Sequence, residues 1–446
     1  MKKKRSRRQQ AIIKRRIFLS FCAVILVSII AVIGIVGYSL FGGENNGEKS
    51  DKSGQSISQG KKEKPKEDVF ATVLSTGDIM VHSTQLDGAK VQSGDGYDFS
   101  AFFKEIEPYI KKTDLSIGNL EVTFGGKQAG AYSGYPAFNT PDSLADVIKK
   151  AGFNFLVTSN NHSYDTGLSG LKRTAEVLEN KDIDFIGTRK DESKELYTVK
   201  NVNGIKIGMA DYTYETETSS KGRKALNGNV ISEEANSLIA SFSYQNIDAF
   251  YDEARSVIEN MKTSGAEFIV FYMHWGEEYR LKENTWQKSI AQELSNMGVD
   301  IIIGSHPHVI EPIELIHSED GQNTTICLYS TGNAISNQRQ ELMAPECTTG
   351  HTEDGMLFTY TLKKSGDEVT LDSIDLIPTW VNKYRGGSGY QYTIYPLEKA
   401  DWGRTKYDLD STSASKATKS YERTKEIVAE GLTECQREIG CEITFK

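Results

Sequence analysis

The stretch IIIGSHPHVIEP, residues 301–312, runs three isoleucines into a glycine and then sets His306 and His308 on either side of Pro307. A short run of β-branched residues closed by glycine reads as a buried strand. The proline fixes its own φ and biases Ser305-His306 toward extended backbone, where side chains two apart share a face. Both imidazoles are therefore expected to look into one site just beyond the strand. Two solvated loop histidines fit the same twelve residues, yet the chain has only seven histidines in 446 positions. The remainder of the sequence decides between the two readings.

Similar runs recur at 69–75, 115–118, 155–158, 185–187, 206–210, 268–273 and 325–330. Helix-period segments separate many of them, at 99–111, 141–151, 167–180, 247–264, 285–297 and 413–439. That order predicts α/β layering. After Gly350, DGMLFTYTLKK and VTLDSIDLIPTWV alternate apolar with polar residues, as an antiparallel hairpin covered on one face does.

Polar residues end these strands in a consistent way. Asp78 closes VLSTGD, Asn119 and Glu121 close LSIGNLE, Asn160, Asn161 and His162 close FLVTSNNH, and His274 closes FIVFYMH. In open α/β sheets the carboxyl rim is where ligands bind. Each residue alone has a plain structural explanation: a helix cap for Asp78, an Asx-rich turn capped by Asp165 or Thr166 for SNNHSYDTG, a satisfied core histidine for His274. Taken together those explanations require five coincidences at one end of the strands.

Carboxylate, amide oxygen and imidazole together suit a borderline or harder divalent ion such as Mn²⁺, Zn²⁺ or Fe²⁺. Six potential ligands among these residues exceed the needs of one catalytic zinc and suffice for two metals about 4 Å apart that activate a water. His162 then remains to protonate a leaving group. None of the five cysteines has zinc-ligand spacing. Cys435 and Cys441 form either a local disulfide or two free thiols, and Cys327 reads as a core strand residue.

The amino end has a different character. Residues 1–16 carry nine Lys or Arg and no acid, and 17–41 are uncharged and almost wholly apolar, longer than the roughly 20 residues that cross a membrane. The run is too long for a signal-peptide core and has no small-residue cleavage site directly behind it, although a cleaved signal is the alternative. The expected arrangement is a single-pass signal anchor with a cytoplasmic basic tail, the rest of the chain lying outside the cell membrane. Residues 42–68 hold one isoleucine and no aromatic, a flexible linker with a reach of about 30 Å. Beyond residue 41 the chain carries 43 Lys and Arg against 61 Asp and Glu, a net of −18, which argues against a nucleic-acid partner.

STGDIM, GNLEVT, SNNHSYDTGLSGL, HWGEEY, GVDIIIGSHPHV and YSTGN, in that order over about 69–336, resemble the CapA family of poly-γ-glutamate synthesis and capsule proteins. That family's domain is similar to the calcineurin-like metallophosphatases. The resemblance implies a four-layer α/β/β/α sandwich over 69–385, followed by a partly helical extension over 386–446. It implies that Asp78 is the first acidic ligand, that Glu121 stands where phosphatases have a bridging aspartate, and that Asn161 and His162 are an amide ligand and a substrate-contacting histidine. His274, His306 and His308 match the remaining ligands, with Asn119, Asn160, Glu278 and Asn333 on the substrate side; Ser330 belongs to the same Ser-x-Gly-Asn segment as Asn333. The first motif lacks the phosphatases' Asp-x-His, the nearest histidine being His82, so a shell with one ligand fewer, or a single metal, is the alternative.

Three functions follow as expectations. The first is a membrane-anchored protein of capsule-polymer synthesis, export or anchoring, partnered by membrane-embedded synthase subunits. An acidic ectodomain repels such a polymer unless cations such as Arg280 and Lys282 line the rim. The second is an extracytoplasmic metal-dependent hydrolase of phosphoesters or γ-glutamyl amides. The third is a catalytically silent scaffold for the synthase.

Overall fold

The structure, a computed structural model, describes residues 67–446 apart from 93, 218–222, 345–346, 348, 388 and 399–406. The expected basic tail, the apolar run 17–41 and nearly all of the linker lie outside the described residues. Among the described residues no helix is long and apolar enough to cross a membrane. The described residues form one compact unit.

Four parallel strands begin the unit: β1 (Val69–Ile79), β2 (Leu115–Leu120), β3 (Phe155–Val157) and β4 (Asp184–Ile186), adjacent in that order. A second sheet follows from β5 (Tyr197–Val202), β6 (Ile205–Tyr214), β7 (Phe268–His274), β8 (Ile301–Ser305), β9 (Ile313–His317) and β10 (Thr324–Leu328). Its order is β9-β10-β8-β7-β6-β5, with β6, β7, β8 and β10 parallel. The chain then returns to the first sheet. Short β11 (Asn333–Ile335) pairs with β1, and β12 (Asp354–Ser365), β13 (Glu368–Gly386) and β14 (Gly389–Pro396) extend it antiparallel beyond β1. The β12–β13 pair is the hairpin expected from the period-two pattern.

Alternation within the strands decides the layers. Val73, Ile117, Phe155 and Val157 of the first sheet meet Ile207, Met209, Val270, Tyr272, Ile301 and Ile303 of the second in one buried core. The opposite faces carry helices. Leu74, Leu120 and Leu156 pack on helices α1 (Ser143–Ala151) and α2 (Gly167–Asn180), while Ile269, Phe271, Met273 and Ile302 pack on α3 (Ile247–Thr263) and α4 (Thr285–Asn296). The result is helix, sheet, sheet, helix. The helix ends are locally coded: Asn284 caps α4 by accepting the Gln287 N–H at 2.9 Å, and the Gln287 side chain returns the bond to the Asn284 N–H at 2.8 Å.

A long helix, α5 (Ser411–Ile439), sends Val428, Leu432 and Cys435 into the core between the sheets. Cys435 and Cys441 are both buried free thiols, and Cys327 is a buried strand residue. One expected helix is largely absent. Residues 99–106 fold as turns and only Glu107–Ile110 is helical, because Pro108 is tolerated in a first turn but breaks a longer helix running through it. Strands β5, β9 and β14 were not expected.

Candidate metal centre

Asp78 sits inside the end of β1, level with Asn119 on one side and Asn333 on the other. The register slips between Thr76 and Asp78, a bulge that re-aims the carboxylate. Gly77 makes it possible, since a Cβ there would lie 1.9 Å from the Gly332 carbonyl oxygen. On the other sheet His274 ends β7 level with Ser305 at the end of β8. The carboxyl ends of both sheets thus face one another.

The side chains meet across that gap. His308 Nδ1 lies 3.0 Å from Asp78 Oδ2, and His274 Nε2 lies 3.0 Å from Asn161 Oδ1 and 3.5 Å from Glu121 Oε1. Asp78, Glu121 and His274 form one trio of ligand atoms within 4.8 Å of one another, and Glu121, His306 and His308 form a second. Glu121 is common to both. All six expected ligands are buried.

The two histidines of the opening stretch arrive by an unexpected route. His306 has φ 95° and His308 φ 57°, left-handed values rather than the extended backbone expected from Pro307. Such conformations cost of order 1–3 kcal/mol each and persist where the surroundings over-determine them. Here Trp275 N–H donates to Ser305 O at 3.2 Å, Tyr279 N–H to Pro307 O at 2.8 Å and Thr331 N–H to Gly304 O at 3.1 Å. The rings still share one site, with centroids 5.9 Å apart.

The electrostatics fit a cation. Burial, and after it the charges of Asp78, Glu278 and Asp165, push the Glu121 carboxyl well above its usual range. Burial, and then the neighbouring histidines, hold His274 and His306 well below theirs, so both are neutral and offer lone pairs. His308 also loses by burial, but its bond to Asp78 and that residue's charge raise it overall. Glu121 Oε1 and His306 Nδ1 are buried with no hydrogen bond among the described residues. Ligand atoms about 3 Å apart are what two groups at right angles, each about 2.1 Å from an ion, would show. The donor set therefore fits a divalent metal.

The remaining expected residues take different positions near this centre. His162 Nδ1 lies 2.8 Å from Asp165 Oδ2, a pair buried on both sides. Asn119 Nδ2 donates to Asp78 Oδ1 at 2.8 Å, and Asn160 Nδ2 donates to Asn119 Oδ1 at 3.1 Å and to Leu120 O at 2.8 Å. Asn333 Nδ2 donates to His308 O at 3.2 Å and Thr352 O at 3.0 Å. These three asparagines are buried rather than on the substrate side expected of them, because their amide groups are taken up by Asp78, Asn119, Leu120, His308 and Thr352. Ser330 is buried as well, and Glu278 is exposed at the mouth. Arg280 pairs with Glu277 at 3.5 Å, both well exposed, and Lys282 is also exposed. His82 is engaged elsewhere, its Nδ1 accepting the Asn337 N–H at 3.2 Å.

Several participants were not singled out in the sequence. Asp165 was read only as a cap, although its place three residues after His162 in a turn was a usable signal. Ser305 Oγ lies 2.9 Å from His274 Nδ1, which turns Nε2 toward Glu121 and Asn161. Tyr214 packs on the centre's histidines, its ring 4.8 Å from that of His306 and stacked on that of His274 at 6.4 Å. Asp211 Oδ2 accepts the N–H groups of Thr158 and Ser159, which lead into Asn160, Asn161 and His162.

Together these features define an α/β/β/α sandwich protein with a carboxylate–amide–imidazole centre where its two sheets open. A family model described as bacterial capsule synthesis protein matches residues 72–338, and this chain belongs to that family. The PGA biosynthesis protein CapA of Bacillus subtilis (strain 168) is 30% identical over 338 residues, covering 73% of this chain and 78% of its own. The capsule biosynthesis protein CapA of Bacillus anthracis is 26% identical over 322 residues, covering 71% and 68%. Among solved structures, the calcineurin-like phosphoesterase YfkN from Bacillus subtilis aligns with TM-score 0.39 and 15% identity, over 81% of this chain and 99% of that one.

Proposed function

We propose that this chain works outside the cell membrane, tethered by residues 17–41, in the synthesis, export or anchoring of an anionic capsule polymer of the poly-γ-glutamate type. Its working centre is a divalent-metal site, of one or two ions, held by Asp78, Glu121, Asn161, His274, His306 and His308. Membrane-embedded synthase subunits are its partners. The observation that carries the reading is the sharing of buried Glu121 by two trios, with its Oε1 and His306 Nδ1 otherwise unbonded. A buried carboxylate in that position is costly unless a cation compensates it.

Bound ions of this kind supply Lewis acidity and an acidified water. The chain's own groups do the rest. Ser305 orients His274, Asn119 holds Asp78, and Asp165 fixes the His162 ring so that Nε2 is the atom that passes a proton to a leaving group. That dyad favours a second reading within the same centre, hydrolysis of a γ-glutamyl amide or a phosphoester. Incubation of the full-length protein with poly-γ-glutamate and with generic phosphodiesters separates the bonds. Turnover of one substrate that disappears in His162→Ala supports hydrolysis; polymer binding without turnover supports the synthesis or anchoring role; neither binding nor turnover contradicts both.

A further inference from the structure

Far from the sequence motifs, the hairpin of β13 and β14 carries an unusual ladder. Lys383 stands directly opposite Tyr392, and Arg385 directly opposite Tyr390. Residues two apart on a strand share a face, so the four side chains form one strip, in which Arg385 and Tyr390 are exposed, Lys383 is half-buried and Tyr392 is buried. Lys383 Nζ lies 4.6 Å from the Tyr390 ring centroid and 5.8 Å from that of Tyr392, and the Arg385 guanidinium lies 5.4 Å from Tyr390.

Cross-strand cation–π pairs stabilise hairpins by themselves, so the ladder alone does not imply a ligand. Two further facts do. Elsewhere on this sheet lysines meet carboxylates: Lys363 pairs with Asp68 at 2.8 Å and Lys364 with Glu267 at 2.7 Å. Neither Lys383 nor Arg385 has a carboxylate within ion-pair distance among the described residues, in a chain region that is strongly acidic overall. Glu341 and Glu353 act on Lys383 only at longer range, offset by Arg339 and Lys416. A relay of contacts also links the strip to His162. Lys383 Nζ and Tyr392 OH both donate to Asn337 Oδ1, at 3.2 and 2.6 Å, and Asn337 N–H donates to His82. The His82 ring packs edge-on to Phe138 at 5.3 Å, and Phe138 packs on His162 at 4.7 Å.

We infer that the strip of Lys383, Arg385 and Tyr390, backed by the buried Tyr392, is a docking site for neighbouring carboxylates of an anionic polymer leading to the centre at His162. This rests on the reading that the protein handles such a polymer. The spacing suits it. Cations two residues apart on a strand stand about 7 Å apart. A γ-linked glutamate chain advances roughly 6 Å per residue, by standard bond lengths; its carboxylates alternate sides when it is fully extended, and rotation about its methylene bonds brings two neighbours to one side at about that spacing. The exposed Tyr390 face shields both cations from water and offers apolar support to the polymer's methylenes, while the buried Tyr392 ring backs Lys383 from within the core.

The test uses the full-length protein in detergent and a fluorescent γ-glutamyl oligomer at low salt. The Lys383→Gln/Arg385→Gln variant is expected to bind about tenfold more weakly, as loss of two charged contacts implies, with a shallower salt dependence and unchanged metal content. The charge-preserving Lys383→Arg/Arg385→Lys variant should retain most of the binding, which separates lost charge from a damaged hairpin. Equal binding by the wild type and the Gln variant overturns the strip while the polymer reading stands. Failure of the wild type to bind the oligomer at all overturns that reading and the strip with it. Loss of binding only to vesicles of equimolar phosphatidylglycerol and phosphatidylcholine, with polymer binding intact, also overturns the proposal and assigns the strip to the membrane surface.

Discussion

The Asp211 carboxylate, on the second sheet, accepts the Ser159 backbone N–H at 2.7 Å across the gap to the first sheet. The same oxygen accepts the Thr158 N–H at 2.9 Å. Gly187 makes room for it, since a Cβ there would lie 2.1 Å from Asp211 Oδ2 and the residue has φ 92°. One buried side chain therefore ties the sheets together just before the loop that presents Asn161 and His162. Burial pushes its carboxyl well above the usual range, against the two backbone hydrogen bonds, which lower it. Asp211→Asn keeps an acceptor oxygen and is expected to unfold in urea within about 1 kcal/mol of wild type. Asp211→Ala strands the buried Ser159 N–H and is expected to lose roughly 2 kcal/mol and to bind metal more weakly. Equal stability of the Ala and Asn variants would remove the positioning role.

The His162–Asp165 pair carries a kinetic expectation. On whichever substrate is turned over, His162→Ala should lower kcat by about 10²- to 10⁴-fold, the usual contribution of a positioned proton donor. Asp165→Asn should give a smaller loss with metal stoichiometry unchanged. Rates measured at saturating substrate, together with metal analysis, check this; unchanged kcat in His162→Ala would show that the ring does not handle the proton.

Glu311 offers a test through pH. It is buried, Gln287 Nε2 donates to its Oε2 at 2.7 Å, and its Oε1 has no hydrogen bond among the described residues. Burial, working against that bond, raises its carboxyl from 4.5 to about 8. The folded state thus holds a proton that the unfolded chain releases near pH 4.5. The associated stability is fully present below that pH and is lost as pH rises through about 8. Glu311→Gln, neutral at every pH, should melt like wild type at pH 4 and at a higher temperature at pH 9. Parallel melting curves for the two proteins across that range would show that folding does not raise the Glu311 carboxyl.

Much of the fold was legible because its central strands are short apolar runs whose ends are marked by polar residues. The site was legible for the same reason: Asp78, Asn161, His274 and His306 interrupt such runs where a buried strand has no use for them. The edge strands were not, since Tyr197–Val202 and Ile313–His317 mix polar with apolar residues and owe their pairing to a neighbour. Nor could the sequence reveal what Asp211 or Ser305 does, because each acts on a partner from a distant stretch of chain. The geometry at His306 escaped for a further reason. Three backbone hydrogen bonds from Trp275, Tyr279 and Thr331 override the local preference set by Pro307.

The convergence on Glu121 is tested most directly by metal analysis of the full-length protein, purified without chelator and dialysed against Mn²⁺ or Zn²⁺. One or two divalent ions per chain are expected in the wild type, with a marked loss in Glu121→Ala and a partial loss in His306→Ala. The bound ions should also raise the melting temperature, by an amount corresponding to about 2.7 kcal/mol when the free metal is a hundred times its Kd. A wild-type protein that holds no stoichiometric metal, and melts at the same temperature with and without the ions, would contradict the metal centre and leave these buried side chains as a polar core network.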